Sequence, residues 1–269
     1  MIRATFQLVR GLGPRRERAL WAAGLRDWTD VLGATATDLR LPLKLCDELK
    51  VAVEELRACF EANDLVGVAT RMPTGEHWRL FEAFESRAVY LDIETDREEG
   101  VTVVGLLDRE GPRCLLAGRD LARVPGYVPA DCLLVTFNGA SFDVPMLRKH
   151  FEAWQAPPAH MDLRHVWNRL GHWGGLKALE DAVGIGRPAH LKHLDGSHAS
   201  WLWQHARLGD RAALTKLVEY NLYDVINLRT LAALGWNRMV QQHGFPERVL
   251  PVSFRGDVLY DVSRLLMAL

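Results

Sequence analysis

The sequence lacks any long apolar segment. Among its 269 residues, no run approaches the roughly 18 consecutive apolar residues that a membrane-spanning helix requires. The first ten residues, MIRATFQLVR, also lack the charged segment followed by an apolar segment that marks a secretory leader. Both absences argue against a membrane protein or a secreted protein, and we expect a soluble protein of the cytoplasm.

Cysteine is scarce, and the four residues stand far apart: Cys46, Cys59, Cys114 and Cys132. They form no CxxC pair and no combination with histidine at the spacing of a zinc site. The sequence therefore indicates neither a disulfide framework nor structural zinc. We expect all four thiols to be reduced and most of them to be buried.

The net charge is also small, −1 at neutral pH, but the basic residues are unevenly distributed. Residues 1–26 contain six arginines and one acid, Glu17, whereas the remainder contains 27 basic and 33 acidic residues. A basic N-terminal segment followed by an acidic remainder suits a protein that binds nucleic-acid phosphate with the first part and cations with carboxylates of the second. Because basic surfaces are common, this distribution alone does not identify a nucleic-acid-binding protein.

The basic segment contains a glycine-rich turn followed by a helix signal, in GLGPRRERALWAAGL. Pro14 stands at a favoured first helical position, Gly24 can end the helix, and Asp27 can cap a second short helix. The segment resembles the second half of a helix-hairpin-helix motif, which offers backbone N–H groups to phosphate. We therefore predict a small all-α nucleic-acid-binding module over residues 1–34, against the alternative of a plain glycine turn between packed helices. Its expected contacts are Gly11, Gly13, Arg15 and Arg16.

The rest of the chain predicts an α/β domain behind a helical connector. Residues 36–84 have helical periodicity and no catalytic constellation, which predicts a connector over 35–85. The runs AVYLDIE, VTVVGLL and RCLLAG then predict an antiparallel meander, and DCLLVTF, a helix and AHMDL extend it to a mixed β-sheet with crossover helices. One long helix is predicted from about Arg211 to Gln241. The predicted α/β domain, a mixed sheet flanked by helices, covers 86–250, and a C-terminal extension covers 251–269.

Acidic residues follow two of the predicted strands. Asp92 and Glu94 are separated by one residue, so the two-residue period of a strand directs both side chains to one face. Two such acids repel each other and resist ionisation when buried, unless a cation is present. Asp143 follows the second buried strand and an Asn138-Gly139 turn. Taken alone, Asp92 and Glu94 are equally compatible with a strand that simply ends in polar residues, and Asp143 alone is more readily explained as a helix cap.

A tyrosine and an aspartate share one face of the long helix. Tyr220 and Asp224 are four residues apart, and the apolar neighbours on that stripe indicate that the face points inward. Such a pair alone is more often a structural hydrogen bond than a catalytic pair. The set is more specific: DxE on the first strand, NxxxFD at a strand-to-helix turn, and YxxxD on the last long helix.

With YLDIET at 90–95, TFNGASFDVPML at 136–147 and YNLYD at 220–224, the chain resembles the DEDD exonuclease superfamily in its tyrosine-bearing DEDDy branch. The likeness covers about residues 86–240. It implies a ribonuclease H-like fold and a 3′-to-5′ exonuclease that uses two Mg²⁺ or Mn²⁺ ions, which prefer carboxylate oxygens. The implied catalytic set is Asp92, Glu94, Asp143, Tyr220 and Asp224.

The resemblance also implies a role for each of these residues. Asp92 would bridge both metal ions. Glu94 and Asp224 would complete the inner ligand set, and Asp143 would hold the second ion through water. Tyr220 would orient the attacking water, because a phenol with a pKa of about 10 is a poor general base. The terminal nucleotide of a nucleic acid, with single-stranded DNA favoured over RNA, would be held by Thr95, Asn138 and Phe142.

Two other functions stay open at this point: a structure-directed endonuclease that uses the same site, and a nucleic-acid-binding module without catalysis. Intact acids at all four positions argue against the second, because their repulsion has no structural benefit. Several other residues are predicted to have structural roles only. His190, His193 and His198 are expected not to bind metal, Asp96, Glu98 and Glu99 to be solvated turn charges, Asp162 to cap a helix, and Trp201 and Trp203 to pack.

Overall fold

A computed structural model of the chain describes residues 1–246, 249–252 and 262–267. Its strands are β1 (Ala88–Asp96), β2 (Gly100–Asp108), β3 (Gly111–Leu116), β4 (Leu133–Thr136) and β5 (His160–Asp162). They form one sheet in the order β3-β2-β1-β4-β5. Strands β1, β2 and β3 pair antiparallel, whereas β4 runs parallel to both β1 and β5. The predicted meander and the predicted mixed sheet are both confirmed.

Helices precede the sheet, cross between its strands and follow it. Those before the sheet are α1 (Pro14–Ala22), α2 (Trp28–Gly33), α3 (Ala36–Leu39), α4 (Leu43–Glu61), α5 (Leu65–Thr70) and α6 (Phe81–Phe84). The later ones are α7 (Val124–Tyr127), α8 (Asp143–His150), α9 (Leu163–Arg169), α10 (Leu176–Val183), α11 (Gly196–Arg207), α12 (Arg211–Gln242) and α13 (Ser263–Met267). Within the described ranges, none of these helices has the length and apolarity needed to cross a membrane.

Side-chain alternation along β1 decides which helix each face of the sheet meets. Leu91 and Ile93 belong to a buried cluster that includes apolar residues of α8. Tyr90 belongs to a different cluster, which includes apolar residues of α12. Because Asp92 and Glu94 share the parity of Tyr90, the acidic pair of β1 is directed toward α12.

Helix α12 approaches the sheet closely at one glycine. A β-carbon on Gly105 of β2 would lie 2.2 Å from Oδ1 of Asn221 and 2.8 Å from a methyl group of Val225. Only a residue without a side chain fits between this strand and the helix. Gly105 is the sheet partner of Asp92. The close approach therefore brings α12 down onto the strand pair that carries the acids.

The N-terminal helices pack on the α/β part around a buried ion network. Glu17 of α1 accepts hydrogen bonds from both terminal nitrogens of Arg79, at 2.9 and 2.7 Å. The two side chains are 1% and 0% exposed. Nε of Arg79 also donates to Glu76, which pairs with Arg169 of α9. One hydrophobic cluster accordingly runs from the N-terminal segment into the α/β part.

Local signals in the N-terminal segment are confirmed. Pro14 begins α1 after the N-cap residue Gly13, and the Asp27 side chain caps α2 by accepting from the backbone N–H of Asp30.

The four cysteines are free, as predicted, with Cys46 and Cys132 buried. The helix-hairpin-helix likeness and the domain boundaries at 34, 85 and 250 stay predictions. Most of the predicted extension over 251–269 lies outside the described residues.

Candidate metal centre

Three carboxylates from two distant parts of the chain converge on one face of the sheet. Asp92 and Glu94 lie on β1 and Asp224 lies on α12, and one oxygen atom of each lies within 4.8 Å of the other two. Glu94 and Asp224 are 8% and 5% exposed. The structure thus brings together three of the four predicted metal ligands, of which Glu94 and Asp224 are buried and Asp92 is half-buried.

Asp143 lies beside this group without belonging to it. It is the first residue of α8 and is 3% exposed. Its Oδ1 accepts a hydrogen bond from the backbone N–H of Ile93, at 3.2 Å. Its charge nevertheless reaches the cluster, because it contributes to the raised pKa of both Asp92 and Glu94.

Burial and like charge oppose the ionisation of these acids. Burial, followed by the charge of Asp224, raises the pKa of Asp92 and the pKa of Glu94 well above their usual range. Burial raises the pKa of Asp143 to about 7. Clustered buried carboxylates of this kind are stabilised by a cation, and their hard oxygen donors fit Mg²⁺ or Mn²⁺.

Two further residues hold the carboxylates in place. Nδ2 of Asn221 donates to Oδ2 of Asp92 at 2.9 Å and lies 3.3 Å from the Asp92 carbonyl oxygen. Nη2 of Arg187 donates to Oδ1 of Asp224 at 2.6 Å. The same guanidinium makes two bonds to Glu180, at 2.7 and 2.8 Å, and its side chain is 4% exposed. Asn221 and Arg187 are therefore positioning residues for the acidic cluster.

Tyr220 lies one turn before Asp224 on α12 and is 6% exposed. Burial, the charge of Asp224 and then the charges of Glu94 and Asp92 raise the pKa of Tyr220 far above its usual range. Its hydroxyl consequently stays protonated at neutral pH. Nζ of Lys177 lies 4.7 Å from the centre of the tyrosine ring and adds a cation to the rim of the site.

Two of the predicted nucleotide-binding residues, Asn138 and Phe142, lie in the turn that leads into α8, and the third, Thr95, lies at the end of β1. Asn138 has a positive φ of 67°, and its Oδ1 accepts from Nη1 of Arg164 at 2.7 Å. Asp162 accepts from the backbone N–H of Asn138 at 2.8 Å and also caps α9, which confirms its predicted capping role. Phe142 is 43% exposed. Thr95 is half-buried and lines a cleft of about 660 Å³ at the end of β1.

The predicted contacts of the N-terminal module lie on the surface of the protein. Gly11, Gly13, Arg15 and Arg16 are all exposed, and Nη1 of Arg16 donates to the carbonyl of Gly11 at 2.6 Å. In the described part of the chain, no hydrogen bond or ion pair joins them to the acidic cluster.

A family model described as RNase_H superfamily matches residues 89–235, more than half of the chain, and this range contains all three acidic motifs. The chain belongs to the ribonuclease H superfamily. Membership of this superfamily indicates a nuclease that acts on nucleic acid.

One solved structure similar to this ribonuclease H superfamily chain is a family B DNA polymerase from the hyperthermophilic archaeon Pyrobaculum calidifontis. The two are 20% identical, with a TM-score of 0.42. The similarity covers 57% of this chain and 24% of the polymerase chain. No curated protein matches the sequence.

Two predictions about residues near this ribonuclease H site are wrong. Asp96 is 5% exposed rather than solvated, because α11 packs over the end of β1, and it accepts from Oγ of Ser200 at 2.8 Å. Glu99 is likewise bound, to Nε1 of Trp203 at 3.2 Å and to Arg207. Glu98 is exposed, as predicted.

Aromatic and histidine side chains on α11 and in the loop before it have mixed outcomes. Trp203 is buried, as predicted, but Trp201 is 54% exposed, with its ring 3.8 Å from that of His205, so the packing prediction is wrong for Trp201. His190 bonds to Glu219 and His198 bonds to Asp195, each at 2.8 Å. His193 is exposed. That these three histidines bind no metal stays a prediction.

The raised pKa of Asp143 predicts how the metal-free protein responds to pH. Its folded value of about 7 exceeds the ordinary value of 3.8, so the folded state binds more protons between these values. Stability should therefore fall as pH rises through this window. Asp143→Asn cannot ionise and should lose less stability than the wild type between about pH 5 and 8. Urea unfolding in the presence of a chelator, at about pH 5 and about pH 8, measures the free energy of unfolding of each protein. An equal loss of stability in the wild type and in Asp143→Asn would contradict the prediction.

Proposed function

We propose that this chain is a metal-dependent 3′-to-5′ exonuclease that acts on single-stranded nucleic acid, with DNA favoured over RNA. The observation that supports the proposal is the convergence of Asp92, Glu94 and Asp224 within 4.8 Å on a ribonuclease H superfamily domain. Asp143 and Tyr220 lie beside them. The polarity of cleavage rests on the resemblance of the three motifs to those of DEDDy exonucleases.

The donor set of the site fits divalent cations. Asp92, Glu94 and Asp224 would hold Mg²⁺ or Mn²⁺ directly, and Asp143, which lies just outside the converging oxygens, would act through water. Two such ions, when bound, supply an activated water at neutral pH and stabilise charge on the entering and leaving oxygens. The raised pKa of Asp92 and of Glu94 is the physical reason for the site to take up positive charge.

Residues of this chain then position the reacting groups. The protonated hydroxyl of Tyr220 would orient the attacking water by a hydrogen bond, since a phenol whose pKa is raised this far cannot act as a base. Arg187 fixes Oδ1 of Asp224, which leaves Oδ2 for a cation. Asn138, Phe142 and Thr95 would hold the terminal nucleotide. A separate phosphate contact would come from Gly11, Gly13, Arg15 and Arg16.

Substrates with different ends test the polarity of cleavage. A 5′-labelled single-stranded DNA should be shortened stepwise from its 3′ end in Mg²⁺ or Mn²⁺. A DNA with a blocked 3′ end and a circular single strand should both stay intact. Cleavage of the circle would identify an endonuclease, and binding of the linear strand without shortening would identify a binding module. A matched RNA measures the preference between the two nucleic acids.

Tyr220→Phe tests the orienting role of the tyrosine. Removal of the hydroxyl should lower the cleavage rate on the order of 100-fold, because the attacking water loses its positioning bond. Binding of Mn²⁺ should be unchanged, since the converging carboxylate oxygens of Asp92, Glu94 and Asp224 all remain. Initial rates and metal titrations measure the two effects. Tyr127→Phe is the matched control, because the Tyr127 hydroxyl accepts a surface bond from Arg123. Wild-type turnover in Tyr220→Phe would leave the Tyr220 hydroxyl no chemical role.

A further inference from the structure

A largely exposed tryptophan lies between α9 and α10. Trp173 is 76% exposed, in the glycine-rich sequence GHWGG. Tryptophan buries more surface than any other residue when it packs, and it is highly buried on average. An exposed tryptophan therefore requires an explanation from its surroundings.

The exposure of Trp173 does not come from an unattached loop. The preceding residue, His172, donates its backbone N–H to the carbonyl of Trp167 at 2.9 Å. The His172 ring packs edge-on against Trp167 at 5.2 Å and lies 3.1 Å from Nη1 of Arg238. Gly174 has a φ of +140°, a conformation that a side chain disfavours. The anchored histidine and the glycine turn together direct the indole of Trp173 outward.

Trp173 borders a cleft of about 210 Å³, and contacts made by neighbouring residues connect this cleft to the acidic site along two routes. Arg164 also lines this cleft, and its Nη1 bonds to the Asn138 side chain of the second motif. On the other side, the loop enters α10, whose first turn carries Lys177 over the ring of Tyr220. Among the described residues, no acid lines the cleft.

We propose that Trp173 stacks on a base of the single-stranded substrate a short distance from the cleaved end, with Arg164 on the adjoining phosphate. This inference rests on the proposed nuclease function and extends the nucleotide contacts beyond the three motifs. An aromatic face beside a cation and free of acids suits a nucleic-acid strand, because every base presents a π-face and every linkage a negative charge. Stacking on an exposed indole is tolerant of base identity, so the site implies single-strand binding without strong sequence preference.

Binding is measured by fluorescence anisotropy with a 5′-fluorescein oligothymidylate of about 12 nucleotides, in Ca²⁺ to suppress cleavage. Trp173→Ala should raise the Kd by about 5- to 150-fold, the range that base stacking on one aromatic ring contributes. Trp173→Phe should recover most of this loss. Trp201→Ala removes another exposed tryptophan, on α11, and is expected to bind like the wild type.

A substrate change locates the stacked base. A single abasic residue is moved along the oligonucleotide, and at one position it should weaken wild-type binding yet leave Trp173→Ala unaffected. Additive losses at every position, or a Kd of Trp173→Ala equal to that of the wild type, would overturn the proposal. Because binding is read without turnover, a protein that binds through Trp173 but never shortens the strand would contradict the exonuclease proposal alone.

Discussion

Asp92→Asn is expected to lower the rate of 3′-end cleavage by about 1,000-fold or more, without destabilising the metal-free protein. Burial and then the charges of Asp224, Glu94 and Asp143 raise the pKa of Asp92. A neutral amide removes both a cation ligand and that repulsion, and its oxygen can still accept from Nδ2 of Asn221. Initial rates in Mn²⁺ measure the first effect, and thermal unfolding in a chelator measures the second.

A surface acid provides the matched control for Asp92→Asn. Asp47 is exposed on α4, away from the sheet, so Asp47→Asn should keep wild-type activity and stability. Wild-type cleavage by Asp92→Asn would show that the converging carboxylates are not the catalytic site. Loss of activity accompanied by loss of the fold would instead show that Asp92 has a structural role.

Arg79→Met is expected to lower the free energy of unfolding by about 3–5 kcal/mol, the cost of leaving a buried charge without its partner. Arg79 is the fully buried cation between Glu17 and Glu76, and it also lies 3.3 Å from Oγ1 of Thr5. Methionine fills similar space but leaves Glu17 buried with no cation. Urea unfolding of the full chain, followed by the signal of its buried tryptophans, measures the loss.

An exposed pair calibrates this result. Arg119 is 49% exposed and lies 3.8 Å from Asp120, so Arg119→Met should change stability by less than about 1 kcal/mol. A second comparison isolates the buried charge. Glu17→Gln combined with Arg79→Met should cost less than the two single changes added together, because no anion is then stranded. A cost for Arg79→Met as small as that of Arg119→Met would contradict the network's contribution.

Much of the fold was predictable because its signals are local. Helix α12 ends within one residue of its predicted bound, since an apolar stripe repeats along its whole length. The meander follows from short β-rich runs and the turn signals between them. Pro14 and Asp27 mark helix starts by their own backbone chemistry. The placement of Asp92 and Glu94 on one face needs only strand parity, and the helical spacing from Tyr220 to Asp224 is equally direct.

The remaining features depend on which elements pack together, and no local pattern records that. Asp96 was expected in solvent because it stands at a turn, but the position of α11 buries it. Arg187 lies in the irregular segment between α10 and α11, where no periodicity indicates its contact with Asp224. Asn221 lies within the third motif, but the motif does not reveal its hydrogen bond to Asp92. That bond depends on the close approach of α12 to β2 at Gly105.

The close approach of α12 at Gly105 also makes ion affinity and tertiary assembly linked equilibria. Asp224 meets Asp92 only while the helix is seated across the strand pair, and the two acids come from opposite ends of the domain. A ligand that binds only the assembled form shifts the equilibrium toward it in proportion to its concentration. Amide hydrogen exchange in the middle of α12 should therefore slow as Mg²⁺ is added. The cation would then stabilise the tertiary structure as well as take part in catalysis.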